Sequence, residues 1–329
     1  MYNRDLLPYF AGIPSFMRAR IGEFSEVKEG TIAIVGAPTD FTCSTRPGAR
    51  FGPRAIRESS LYFAYQLGSA TSKELVNIST GQRFVQSGEM DIVDLGDLNI
   101  YPTDVMRTTQ SICDGIKSIA SAGGFPILLG GDHYVAYPSF KGFAEAMASR
   151  GKKRIGYIHL DGSLDISDDN RVWGKYFHGT NSYRISELDA VNPRNMAMVG
   201  IKGLVRKETW DYVQSAGISV FTNRDIRQRG IETVMRDAIA AATHDTDAVY
   251  LSIDIDVMDG AFAPGTGGIT IGGITSAEFM RAVDMLADTR IGAMDLVEVA
   301  PNYDPGEATQ RLAATAIFKM IAPRVLRSE

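Results

Sequence analysis

The sequence predicts an α/β fold: a parallel sheet covered by helices on both faces. Short apolar runs alternate with segments of helical spacing along nearly the whole chain, the signature of successive strand–helix units. Those runs are near-continuous rather than alternating, as strands buried on both faces are. Histidine and carboxylates stand at the ends of several runs, where ligands sit in such sheets. No repeat, linker or block of like charge divides the 329 residues, so one domain spanning 1–329 is expected, with residues 1–30 as an N-terminal arm.

Pro8, Gly12 and Pro14 make the arm irregular, either wrapped on another surface such as a neighbouring subunit or a flexible leader. Residues 31–35 form the first strand, ended by Gly36 and Pro38. Residues 46–57 (RPGARFGPRAIR) form a loop fixed by Gly and Pro, with Pro53 suited to a helix's first turn; its arginines are an anion site or paired scaffold charges. Residues 91–95 are a strand. Residues 104–122 carry Val105, Ile112, Ile116 and Ile119 at helical spacing, stopped by Gly123-Gly124. The strand 125–129 runs into Gly130-Gly131-Asp132-His133, and a helix covers about 137–150. Strands follow at 154–160, 196–199 and 218–221, with helices at 207–215 and 231–243. The stretch 250–259 begins as a strand. Residues 263–268 make a glycine-rich loop without the Gly-Lys-Ser/Thr of a phosphate loop. A helix at 276–288, a strand at 293–299 bearing Glu298 at its end, and a helix at 308–321 close the chain.

The chemistry centres on Asp254 and Asp256, which interrupt an apolar, β-branched run. Residues two apart in a strand share a face, so both carboxylates aim at one place in the interior. Left unpaired there they are costly, so they are protonated, paired with cations or bound to metal. A salt-bridged pair at a strand end is the simpler alternative for an isolated D-x-D. However, His133, Asp161, Asp165, Asp254, Asp256 and Glu298 all fall at or near the ends of four different strands, which favours one metal site. If extended geometry persists past the strand, residues 161, 163 and 165 share a face. His159, two residues before Asp161, is a core residue or a neighbour of the site. His178 sits in a long loop after the carboxylates, a place where side chains acquire roles.

Carboxylates with imidazole favour Mn2+, with Ni, Co or Fe as alternatives, over a thiolate zinc site. Two carboxylates from each of two strands suggest a bridged pair of ions, which lowers the pKa of bound water from about 16 towards neutrality. Glu298 can hold a cationic group by charge-assisted hydrogen bonds, and His178 can shuttle a proton. The predicted chemistry is metal-assisted hydrolysis of a small cationic substrate. Composition agrees: 44% hydrophobic and 22% charged residues are those of a globular protein, and a net charge of −5 argues against a nucleic-acid binder. No apolar run approaches a membrane span. Two cysteines without metal-type spacing, and no leader sequence, lead to the expectation of a reduced cytoplasmic setting.

Residues 46–57, Gly130–His133, His178–Thr180, the stretch 252–259 with Pro264-Gly-Thr-Gly267, and Glu298-Val-Ala-Pro301 with Tyr303-Asp304 together resemble the ureohydrolase (arginase and agmatinase) superfamily, in particular its agmatinase-like branch. The resemblance covers nearly the whole chain. It implies a three-layer α/β/α sandwich with an eight-stranded parallel sheet. It also implies a bridged Mn2+ (or Ni2+) centre that hydrolyses a guanidino group to release urea, in trimers or hexamers. Carried over by position, one ion falls to His133, Asp161, Asp165 and Asp254; a second shares Asp161 and Asp254 and adds Asp256. His178 resembles the proton-shuttling histidine, and Glu298 the glutamate that grips the guanidinium. One departure stands out: the family's Asp-Ala-His-x-Asp is here Asp161-Gly-Ser163-Leu-Asp165, so Ser163 replaces a ligand of the second ion. Gly260 and Gly268-Ile269 depart in the substrate loop. Three readings follow: a guanidine-group hydrolase with an altered second site and one or two ions per subunit; a weak or silent subunit assembled with an active paralogue, as in a biguanide (metformin-type) hydrolase; and a non-enzymatic metal- or amine-binding protein. Specificity is expected in residues 10–20, 167–185 and 260–270.

Overall fold

A computed structural model describes residues 8, 10–68, 74–76, 78, 81, 83–86, 91–287 and 289–328. Most of the arm's first residues, and Asp288 at the end of one predicted helix, lie outside them. In chain order the strands are β1 (Arg20–Ile21), β2 (Ile32–Gly36), β3 (Glu74–Val76), β4 (Arg83–Gln86), β5 (Ile92–Asp97), β6 (Phe125–Leu129), β7 (Ile155–Leu160), β8 (Met196–Ile201), β9 (Ser219–Thr222), β10 (Ala248–Asp254), β11 (Ile291–Val297) and β12 (Leu326–Ser328). The helices are α1 (Gly52–Gly68), α2 (Val105–Ser121), α3 (Ala136–Ser149), α4 (Asn181–Ser186), α5 (Lys207–Ala216), α6 (Asn223–Arg229), α7 (Ile231–Thr243), α8 (Ser276–Ala287) and α9 (Ala308–Val325).

The main sheet runs β1-β5-β2-β6-β11-β10-β7-β8-β9, and every pairing in it is parallel. It contains the eight expected strands plus β1, a two-residue edge strand in the arm that sequence reading left irregular. Strand residues alternate between two cores. Ile32, Ile34, Val249 and Leu251 face one, roofed by α1, α7, α8 and α9; Ala33, Val35, Ala248 and Tyr250 face the other, roofed by α2, α3 and α5. This is the three-layer sandwich, and it explains why the strands read as unbroken apolar runs. A second, antiparallel sheet, β12-β4-β3, was not anticipated.

Helix boundaries follow local chemistry. Asp104 caps α2 by accepting a hydrogen bond from the Arg107 N–H at 3.0 Å, and Gly217 ends α5 in the left-handed region at φ 75°. The arginines of 46–57 are scaffold charges. Arg50 pairs with Asp40, Arg54 with Glu58, and Arg57 with Asp94 and Asp97. Arg46 donates to the carbonyls of Thr266 and Gly267 and lies over the Tyr303 ring.

Candidate metal centre

Four neighbouring strands in the middle of the sheet, β6, β11, β10 and β7, carry the predicted residues at their carboxyl ends. After β6, Gly130 and Gly131 let two segments approach: a Cβ on Gly131 would lie 1.7 Å from the Thr39 carbonyl oxygen, and one on Gly130 2.4 Å from Val297 Cγ1. His133 then opens the short helical turn that leads into α3. After β11, Glu298 leaves the strand with φ 62° and donates its N–H to the Gly131 carbonyl at 2.8 Å, which ties the two ends together.

Two local expectations are corrected. Extended geometry does not persist after β7. Asp161 Oδ1 accepts the Ser163 N–H at 2.6 Å, a tight turn typical of aspartate, and Asp165 is left-handed at φ 45°. Asp256, likewise, is not in a strand: β10 ends at Asp254, whose Oδ1 accepts the Asp256 N–H at 2.7 Å, and Asp256 lies in a helical turn. The carboxylates still converge, by turns rather than by a shared strand face.

His133 Nδ1 lies 3.0, 3.3 and 3.1 Å from the Oδ2 atoms of Asp161, Asp165 and Asp254. His133 is fully buried and Asp161 is 1% exposed, yet His133 Nδ1 and Asp161 Oδ2 have no hydrogen-bond partner. The opposite ring nitrogen explains why. Nε2 sits 2.9 Å from Ser252 Oγ, and Ser252 donates onward to Asp295 Oδ1 at 2.6 Å. With the serine lone pair receiving Nε2–H, Nδ1 is the nitrogen whose lone pair, once its proton is displaced, is offered towards the aspartates. An orphaned nitrogen lone pair among carboxylate oxygens is a donor set that fits a divalent cation, and the hydrogen bond behind the ring is the support that metal-binding histidines use. His159 is part of that surround. It stacks on His133 with centroids 4.9 Å apart, lies 3.0 Å from Asp161 Oδ2 and directs Nε2 at the Ser163 carbonyl. Asp161, Asp254 and Asp256 form a second group able to hold an ion, with no nitrogen among them.

The electrostatics express the same crowding. Burial, and then the charge of Asp161, pushes the Asp254 carboxyl well above the usual range; burial and Asp254 do the same to Asp256. Burial opposes charge on His133, but its contacts with Asp161, Asp165 and Asp254 outweigh it and raise the ring's pKa well above its ordinary value. Asp132, buried and near Glu298, is pushed up to about 7.

Glu298 Oε1 accepts from the His133 N–H at 2.9 Å and from His178 Nδ1 at 3.1 Å. His178 Nε2 lies 2.6 Å from Ser44 Oγ and receives the Ser44 N–H at 3.1 Å. Burial works against charge on His178, while Glu298 raises its pKa to about 9. The backbone donor pulls the other way and is the stricter constraint, because an imidazolium has no lone pair to receive it. The ring stands neutral with Nδ1–H on Glu298, and protonation opens the Ser44 contact. His178 begins a short helical turn into α4 rather than lying in an irregular loop.

These groups floor a pocket of about 490 Å3, walled by Lys202, Leu204, Val205 and Arg206 and by residues 268–270. Ser163 is exposed on its wall. Residues 10–20 do not line it, and the 202–209 wall was not foreseen. Asp295 and Cys43 were also missed. Asp295 gave the same signal as Asp254, a carboxylate inside an apolar strand. Cys43 gave none: only the fold brings its sulfur within ligand distance of His178 and Glu298. Burial, and then the Glu298 charge, pushes that thiol up to about 11.

The arginase family signature matches residues 30–322. The chain is 31% identical to a guanidinopropionase of Pseudomonas aeruginosa over 317 residues, 96% of this chain and 92% of that one. It is also 31% identical to an agmatinase of Chromobacterium violaceum over 324 residues, 98% of this chain and 91% of that one. Among solved structures, the proclavaminate amidino hydrolase from Streptomyces clavuligerus superposes with a TM-score of 0.81 at 28% identity, covering 97% of this chain and 99% of that one. A hypothetical agmatinase from Burkholderia thailandensis does so with 0.80 at 28%, covering 96% and 92%.

Proposed function

The chain belongs to the arginase family and is a hydrolase acting on carbon–nitrogen bonds; we propose that it cleaves a small guanidino compound to release urea. The observation that carries this reading is the orphaned His133 Nδ1 facing Asp161, Asp165 and Asp254. Those four residues would hold one ion, Mn2+ or Ni2+, and Asp161, Asp254 and Asp256 a second. When bound, the ions supply Lewis-acid activation of water.

The chain's own residues supply the rest. Glu298, buried and lining the pocket, pairs with the guanidinium by charge-assisted hydrogen bonds. Its Oε1 is fixed by two donors, so the carboxylate is oriented before substrate arrives. His178 accepts a proton at Nε2, with the Ser44 hydroxyl as the nearest relay to the pocket, while Glu298 steadies the charge. Both cysteines are free thiols, in keeping with a reducing cytoplasmic setting, and no helix of the described residues is long and apolar enough to cross a membrane. A homo-oligomer, trimer or hexamer, is the assembly proposed.

Ser163 favours a second reading, a subunit that reaches full activity only in a hetero-oligomer with a paralogue. Urea release from guanidinopropionate, guanidinobutyrate, agmatine and guanidine by the Mn2+- or Ni2+-loaded homo-oligomer separates the two. Turnover by the protein alone is expected, and His178→Asn should lower kcat by about 100- to 10,000-fold. Turnover only after mixing with a paralogue selects the second reading. Metal-loaded protein that is inert in both conditions overturns both.

A further inference from the structure

The two metal positions are not equivalent in this chain. The inner one has the His133 imidazole and three aspartate oxygens converging on it. The outer one has Asp161, Asp254 and Asp256 alone. Backbone donors also occupy the same oxygen on each of these three carboxylates. The Ser163 N–H binds Asp161 Oδ1 at 2.6 Å, the Asp256 N–H binds Asp254 Oδ1 at 2.7 Å, and the Gly162 N–H binds Asp256 Oδ1 at 3.1 Å. The Oδ2 atoms of Asp161 and Asp254 face His133. Asp256 Oδ2 is the one outer oxygen committed neither to a backbone donor nor to the inner position. Position 163 holds an exposed serine on the pocket wall, whose neutral hydroxyl is a weak ligand beside imidazole.

An oxygen-only site with so few free oxygens suits an ion that keeps much of its water. That describes Mg2+, which is commonly bound through one or two carboxylates and retains several waters. Nitrogen-seeking ions such as Ni2+ prefer the imidazole position, while carboxylate and water suit Mg2+ and Mn2+. Building on the two-ion reading above, we propose that this chain holds a mixed pair: a transition-metal ion at His133, Asp161, Asp165 and Asp254, and a hard, largely hydrated divalent ion such as Mg2+ at Asp256 with the shared oxygens of Asp161 and Asp254. The buried, unpartnered Asp161 Oδ2 belongs to the carboxylate that both positions share.

The test is metal content of the full-length oligomer, independent of turnover. Metal-free protein is loaded with Ni2+ alone, desalted and analysed by elemental analysis, then dialysed to equilibrium against millimolar Mg2+. Close to one Ni2+ per chain and a further Mg2+ are expected, with outer-position Ni2+ at least about 10- to 100-fold weaker than inner. Asp256→Asn should lose the Mg2+ and keep the Ni2+, and Ser163→His should gain a second desalting-resistant Ni2+. Two equally tight Ni2+ in the unaltered chain, or loss of Ni2+ from Asp256→Asn with its circular dichroism intact, overturns the mixed pair. A folded chain that retains no ion of either kind overturns the two-ion reading itself.

Discussion

At Asp254 two demands meet on one carboxylate. It ends β10 with 3% exposure, held by the Asp256 N–H on one oxygen and facing His133 with the other. Burial and the neighbouring Asp161 push its pKa well above the usual range, so without a cation its charge works against the fold at neutral pH. Asp254→Asn keeps an acceptor for the Asp256 N–H and adds a donor facing His133 Nδ1. Two opposite shifts should follow. Metal-free Asp254→Asn should melt at or above the unaltered metal-free protein, and its metal affinity should fall by at least about 100-fold. Calorimetry with and without Mn2+ reads both, and a variant that still holds its full complement would mean that Asp254 does not bridge. The identity of the cluster was legible because carboxylates inside apolar runs are anomalous in any fold. The conformation that aims it was not. Asp165 and Glu298 both sit at positive φ, a strained choice for non-glycine residues that surrounding structure imposes, and no side-chain type announces it.

Elements place these residues through their ends. Strand interiors β6 and β7 were predicted nearly to the residue, since near-continuous apolar runs mark strands covered on both faces. Strand exits were not: the turns at 161–165 and 255–257 depend on side-chain-to-backbone bonds that compete with extension. In the β12-β4-β3 sheet, the pairing of β12 with β4 joins the last described strand to residues far earlier in sequence, and local pattern carries no such partner. The clearest dependence of the site on an element end is Gly131. Its carbonyl anchors the Glu298 N–H, and the space for a Cβ is filled by the Thr39 backbone, which cannot rotate away. Gly131→Ala should therefore lower stability by about 1–3 kcal/mol and displace His133 from Glu298. A fall in the urea midpoint together with weaker Mn2+ binding is the expected pair of results. An unchanged midpoint would show that the Thr39 segment yields freely.

On the scale of the whole molecule, the metal-free site is a store of unfavourable charge at the centre of the sheet, and its pH dependence should reveal it. Asp254 and Asp256 have pKa values raised well above the usual carboxylate range, and Asp132 rises to about 7. His133 is raised well above its ordinary value. The carboxyls bind more protons folded than unfolded from about pH 4 upward, and His133 does so from about pH 6.5 upward, so the metal-free protein should lose stability as pH rises from weak acid through neutrality. Asp161 has the opposite sign: burial disfavours its charge, but His159 and His133 hold its carboxyl below the usual range, so its contribution changes only in stronger acid. Bound ions reverse the slope, since the carboxylates must be ionised and the imidazole neutral to bind them, and protons compete with metal. Calorimetric melting temperatures from pH 5 to 9 should thus fall with pH in EDTA and rise with pH in saturating Mn2+, the two curves diverging towards alkaline pH. Parallel curves would mean that the cluster binds no ion.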